Sequence, residues 1–283
     1  MPFNRIFFCF LITSLLFLFG GCRESQKPDT DMDAFPEIQD KKEEALMPDS
    51  PKEFPQSKKE QEKQNTLDKK ENSADFSDEE KSFLSTLTFL GDSTTAHMIS
   101  RAPLPDGGQN CVWATRNRYL NLDPHITEAK IVCPGNSEEM TIAEAAAAVH
   151  PARLVITLGV DYGVYYYRNN PLAFRRCYQK LLDAISAASP DTELILQSIF
   201  PVAASCRVID ADMIKKANAE IKKLADERGL LYVDAGGAVL ADENGYLRPE
   251  FLYSEDGIHL NQAAYTAILK NLCRYQTQTE SSS

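Results

Sequence analysis

Two short stretches, far apart in the chain, hold side chains that together could run an acyl transfer. Residues 86–93 read Thr-Leu-Thr-Phe-Leu-Gly-Asp-Ser, an apolar β-rich run that breaks at Gly91 and delivers Asp92 and Ser93. A serine hydroxyl is a weak nucleophile until a base takes its proton, and that base must be held in one tautomer by an acceptor on its other nitrogen. Residues 256–260, Asp-Gly-Ile-His-Leu, supply both groups: His259 as base and Asp256 as the acid that orients it. They stand three apart with Gly257 between them, so one tight turn brings carboxylate to imidazole. In isolation the same residues would read as a loop aspartate and a helix-capping histidine. His97, one helical turn after Ser93, is a competing base, whereas His125 and His150 fall in a loop and at a helix end.

These groups need elements to hold them. Residues 86–90 suit a buried strand, Gly91 permits a sharp exit, and residues 94–100 continue as helix. Ser93 then lies at the carboxyl end of a strand and the amino end of a helix, where open α/β sheets place their sites. Residues 102–128 are loop-rich, with Pro103, Pro105, Gly107 and Gly108. Residues 129–133 read as the second strand, and Thr141-Ile-Ala-Glu144 is a capping box opening a helix to His150. Residues 154–158, 193–200 and 230–233 are further strands. Helices are expected from Asn170-Pro171 to Ala188, from Asp212 to Arg228 with a stop at Gly229, and from Asn261 to Cys273. Five strands with intervening helices imply one α/β domain over residues 77–275, with a mainly parallel sheet covered on both faces.

Gly91-Asp92-Ser93 and Asp256-Gly257-Ile258-His259-Leu260 resemble the first and last signature blocks of the SGNH/GDSL hydrolases, and the order of elements between them is similar to that family's. The resemblance implies a flavodoxin-like, three-layer α/β/α sandwich that cleaves or transfers acyl esters without a metal or other cofactor. It implies Ser93 as nucleophile, His259 as general base and Asp256 as its orienting acid. The oxyanion hole would use the backbone N–H of Ser93 and a glycine after the second strand, for which Gly135 is the positional counterpart, or else a plain turn glycine. After the third strand the family carries Gly-x-Asn, with the asparagine donating to the oxyanion; this chain reads Gly159-Val160-Asp161. Loss of one such donor costs roughly 3–4 kcal/mol of transition-state stabilisation, and an ionised carboxylate would also repel the developing charge. Three accounts are open for Asp161: burial keeps it protonated so that it donates, a neighbouring backbone N–H serves instead, or the acyl chemistry is weak.

The remaining features bear on location and substrate. Arg5, an apolar run over residues 6–19, and Gly20-Gly21-Cys22 resemble a bacterial lipoprotein signal covering residues 1–22, with Cys22 the lipidated residue; a plain cleaved signal or an uncleaved anchor are the alternatives. Residues 23–76 are rich in Lys, Glu, Asp, Gln, Ser and Pro without apolar periodicity, which predicts a disordered tether, and residues 276–283 a disordered tail. The seven cysteines, at 9, 22, 111, 133, 177, 206 and 273, show no CxxC spacing or zinc set. A net charge of −11 argues against nucleic acid as a partner. The expectation is a monomeric, lipid-anchored, extracytoplasmic serine esterase removing ester-linked acyl groups, O-acetyl above all, from a carbohydrate or related small ester. An O-acyltransferase acting on a wall or extracellular glycan, or a binding lipoprotein of weak activity, are the rival readings. Tyr165-Tyr166-Tyr167 with Arg168, and Trp113, are candidates for either a substrate wall or ordinary packing.

Overall fold

The computed structural model describes residues 76–104, 111–133 and 138–280. Its first element is a helix that composition had hidden. The Ser77 hydroxyl accepts from Glu80 N at 3.1 Å and the Glu80 carboxylate accepts from Ser77 N at 2.8 Å, a capping box that opens α1 (Asp78–Leu84). Phe76 is 4% exposed and Phe83 and Leu84 are buried with it, so the folded part takes in the last residue of the stretch expected as tether.

The sheet contains β1 (Leu87–Gly91), β2 (Val112–Trp113), β5 (Arg153–Thr157), β6 (Glu193–Gln197) and β7 (Leu231–Val233), in the order β2-β1-β5-β6-β7 with every neighbouring pair parallel. Parallel strands covered on both sides should be apolar at consecutive positions, and Leu154, Val155 and Ile156 are all fully buried. Leu154 and Ile156 belong to one core, under α4 (Ile142–Val149), α5 (Pro171–Ala188) and α6 (Ala211–Arg228). Val155 belongs to the other, under α1 and α7 (Gln262–Glu280). This is the three-layer α/β/α arrangement expected from the alternation of elements.

One strand differs from expectation. Residues 129–133 do not enter the main sheet: β3 (Lys130–Val132) pairs antiparallel with β4 (Glu139–Thr141), and an isolated bridge joins Val132 to Ala114, the residue after β2. The place beside β1 is taken by Val112 and Trp113, inside the stretch read as loop. A two-residue strand has no periodicity to detect, and Trp113, 1% exposed, is there for packing. The last helix also runs past its expected end at Cys273 to Glu280, into the segment expected as a tail, because no glycine or proline interrupts it. The expected helix over 94–100 is two short turns, α2 (Ser93–Ala96) and α3 (Met98–Arg101), joined at His97. The capping box at Thr141, Asn170 as cap before Pro171, and Gly229 at φ 65 stand where the sequence put them.

The chain leaves β1 toward β2 on one side and later returns to β5 on the other. The reversal opens a crevice at the carboxyl ends of β1 and β5, the place where such sheets bind ligands.

Candidate active site

At that crevice the backbone of β1 passes so close to β5 that a side chain is excluded: a Cβ on Gly91 would lie 2.1 Å from the Thr157 carbonyl oxygen. Asp92 then caps α2, accepting from Thr94 N at 3.3 Å and from the Thr94 hydroxyl at 2.8 Å. Its other oxygen accepts from Gly159 N and Val160 N, each at 2.8 Å. Asp92 thus ties the exit of β1 to the exit of β5, a role the motif alone did not disclose, although an aspartate directly before a helix start is an N-cap signal. Ser93 follows as the first residue of α2, only 3% exposed.

The second stretch is brought to it from the far end of the chain. Gly257 takes φ 77, a conformation that favours glycine, and its carbonyl accepts from Ala203 N at 2.7 Å. The turn lays Asp256 Oδ2 2.6 Å from His259 Nδ1, and His259 Nε2 comes 3.3 Å from Ser93 Oγ. A proton on Nδ1 held by Asp256 leaves Nε2 as the acceptor that faces the serine. Burial opposes the charge on Asp256. Hydrogen bonds from His259, the Ser254 hydroxyl and the Ile258 and His259 amides outweigh it and hold the carboxyl below the usual range. Tyr265 in α7 anchors the short helix that carries Ser93 by donating to the Thr94 carbonyl at 2.6 Å.

Residues 89–267 match the GDSL-like Lipase/Acylhydrolase family. The chain belongs to that family. Solved structures similar to this acylhydrolase-family chain include a candidate acylhydrolase from Bacteroides fragilis, 16% identical over 74% of this chain and 98% of that one, with a TM-score of 0.47. A GDSL-like lipase from Bacteroides thetaiotaomicron is 16% identical over 77% and 97%, at 0.46. A family 3 carbohydrate esterase from Talaromyces cellulolyticus is 17% identical over 70% and 98%, at 0.44. No curated protein matches the sequence.

Asp161 sits on Ser93 in this family member. One carboxyl oxygen accepts from Ser93 N at 2.8 Å and the other lies 2.5 Å from Ser93 Oγ. It therefore occupies the Ser93 N–H that would face an oxyanion. Burial, followed by the nearby charge of Asp92, pushes its pKa up to about 8. Burial raises Asp92 as well, yet the four hydrogen bonds it accepts make it the better holder of negative charge of the two. A protonated Asp161 can give its own O–H to Ser93 Oγ, which frees the serine proton for His259 Nε2. An ionised Asp161 accepts that proton instead and leaves Nε2 without it.

His97 meets Ser93 through the backbone, its N–H donating to the Ser93 carbonyl at 3.0 Å, and its ring is turned to His259 rather than to the serine hydroxyl. Its ring meets that of His259 edge to face at 4.5 Å, and its Nδ1 is buried without a hydrogen-bond partner. Burial, then the charges of Arg101, His259 and Arg118, press its pKa down to about 3. His125 is exposed beside Glu128, and His150 caps α4 with Nδ1 at 3.1 Å from the Ser189 hydroxyl. Tyr167 is buried, whereas Tyr166 is exposed and stacks on Tyr162, next to Asp161, at 4.7 Å between ring centres. Cys111, Cys133, Cys177, Cys206 and Cys273 are free thiols. Gly135 and Cys22 lie outside the described residues. A cavity of about 370 Å³ lined by Ile199, Lys215, Tyr232 and Asp234 includes none of Ser93, Asp161, Asp256 and His259.

Proposed function

We propose that the protein is a serine esterase that removes ester-linked acyl groups through an acyl-enzyme. The observation that carries this reading is the chain of contacts from Asp256 Oδ2 through the His259 ring to Ser93 Oγ, at 2.6 and 3.3 Å. His259 takes the Ser93 proton as Oγ attacks the ester carbonyl, and Asp256 stabilises the imidazolium so formed. The oxyanion faces the Ser93 N–H and, on the family pattern, Gly135; protonated Asp161 swings its O–H toward the same charge. His259 then returns the proton to the leaving alcohol, and the same base activates the water that releases the acid.

The substrate in this reading is an O-acetylated carbohydrate at the cell surface. The leader-like first 22 residues ending in Cys22 and the charged stretch before Phe76 support a lipid-anchored, extracytoplasmic enzyme. The stacked Tyr162–Tyr166 pair beside Asp161 offers an aromatic face of the kind sugar rings pack against. A second reading has its own observation: Asp161 on the Ser93 N–H favours a binding lipoprotein of weak activity. Hydrolysis of p-nitrophenyl acetate by the full chain beside Ser93→Ala separates the two. The esterase loses its rate by about a thousandfold or more on losing the serine; equal rates in both proteins would leave the binding reading. Product analysis with an added glycan tells hydrolysis from transfer to an acceptor hydroxyl.

A further inference from the structure

Asp256 holds His259 at one nitrogen. The 2.6 Å contact between Nδ1 and Asp256 Oδ2 sets the tautomer, but the outer torsion of a histidine side chain is broad, and the ring can still swing about that anchor. Its other nitrogen stands 3.3 Å from Ser93 Oγ, and a misplacement of about 1 Å at a reacting contact costs about a hundredfold in rate. The side chain is 22% exposed, so water reaches part of it. A second contact is needed to keep Nε2 on the serine.

His97 makes that contact. Its ring centre lies 4.5 Å from that of His259 with 74° between the planes, the edge-to-face geometry that aromatic pairs favour. Backbone bonds fix where the ring stands. His97 is the joint of α2 and α3: its N–H donates to the Ser93 carbonyl at 3.0 Å, and its own carbonyl accepts from Arg101 N at 3.1 Å. One residue is thus tied to Ser93 through its main chain and laid against His259 through its side chain. The end of α3 meets the same loop again. Arg101 donates to the Leu260 carbonyl at 3.4 Å and stacks 3.5 Å over the Tyr253 ring, and Tyr253 N donates to the His259 carbonyl at 2.9 Å.

The His97 nitrogens are not what this contact uses. Nδ1 is buried and has no hydrogen-bond partner among the described residues, and a buried orphan of this kind opposes folding rather than supporting it. Burial, the first cause of its pKa of about 3, keeps the ring uncharged at neutral pH. A charged ring would repel the imidazolium that forms on His259, whereas a neutral one packs against His259 in either protonation state.

We propose that His97 is a positioning residue, the ring of which is the stop that keeps His259 Nε2 on Ser93 Oγ. It acts by shape, and no proton passes through it. The proposal rests on the serine-esterase reading and adds to it the group that aligns the base.

The test compares the full chain with His97→Ala, His97→Phe and His97→Gln, each first shown by urea denaturation to be folded under the assay conditions. With p-nitrophenyl acetate, His97→Ala should lower kcat by about tenfold to a hundredfold and leave KM within about twofold, since alignment rather than binding is lost. His97→Phe restores a ring without nitrogens and should bring kcat back to within about threefold of the unaltered chain, whereas His97→Gln, polar but ringless, should stay with His97→Ala. Proton NMR gives a second readout. The proton held between His259 Nδ1 and Asp256 should appear far downfield, assigned by its loss in His259→Gln, remain in His97→Phe and broaden by exchange with water in His97→Ala. If the larger Phe ring disturbs the fold, the rates and the resonance of the Ala and Gln variants still decide. An unchanged kcat or an equally sharp resonance in His97→Ala, or a rescue by Gln that Phe does not give, would overturn the proposal. Absence of serine-dependent turnover in the unaltered chain would instead sink the esterase reading, and the resonance alone would then decide whether His97 holds the His259 ring.

Discussion

On the proposed esterase reading, Asp161 is the residue on which the chemistry turns. In its protonated form it donates to Ser93 Oγ and lets the serine proton point to His259; ionised, it captures that proton at 2.5 Å and holds negative charge at the Ser93 N–H. Its pKa is raised, to about 8, by burial and then by Asp92. On this reading the active form is the one present at lower pH, and kcat/KM should fall as pH rises through that value. Asp161→Asn should flatten this alkaline limb, read from a pH profile of p-nitrophenyl acetate hydrolysis; a limb unchanged in the variant would remove the protonated-donor role. The sign carries over to stability. A native state that binds the proton more tightly than the unfolded chain loses stability between the unfolded carboxyl pKa of about 4 and the native value. Urea denaturation at several pH values should show a smaller loss in Asp161→Asn. Asp256→Asn tests the other carboxylate: it keeps the shape but favours the wrong His259 tautomer, and a fall of about a thousandfold to ten-thousandfold in kcat is expected from steady-state rates. In the sequence, Ser93, Asp256 and His259 were readable because nucleophile, base and acid are unlike residues in two compact stretches. The contact of Asp161 with both the N–H and the hydroxyl of Ser93 was not, since it depends on where two strand exits meet.

At the scale of elements, the site depends on how closely β1 and β5 leave the sheet together. Gly91 is set there by space: a Cβ would stand 2.1 Å from the Thr157 carbonyl and 2.2 Å from the Thr95 hydroxyl. Gly91→Ala should therefore cost about 2 kcal/mol or more, by the strain of overpacking, with β1 or α2 forced to shift. Chemical denaturation would measure it, and a loss of only a few tenths would mean that the strands part readily. Helices bounded by capping boxes, an Asn-Pro start or a glycine stop were legible because each end carries its own side-chain chemistry. The Ser77–Glu80 box shows the same signal, overlooked inside a charged stretch. β2 was beyond reach: two residues in a loop-rich region become a strand only because β1 offers a free edge. Residues 130–132 have strand character and do form a strand, but with β4. Pattern predicts the state of a segment more readily than its partner.

For the molecule as a whole, the sheet order β2-β1-β5-β6-β7 places the switch point, and hence the crevice, between β1 and β5. Alternation of elements was enough to give the layered α/β class, because burial of consecutive apolar strand residues demands cover on both faces. Location belongs to this scale too. If Cys22 is lipidated, Cys22→Ala should move the protein from the membrane fraction to the soluble fraction of the producing cell, read by fractionation and immunoblot; retention in the membrane would favour an uncleaved anchor. The central claim is that Ser93 carries the acyl group. Acid-quenching the full chain during turnover of p-nitrophenyl acetate, followed by mass spectrometry of its peptides, tests it most directly. The account predicts an acetyl group on the peptide containing Ser93, absent in Ser93→Ala. Serine-independent hydrolysis, or a stable acetyl group on another residue in its place, would contradict it.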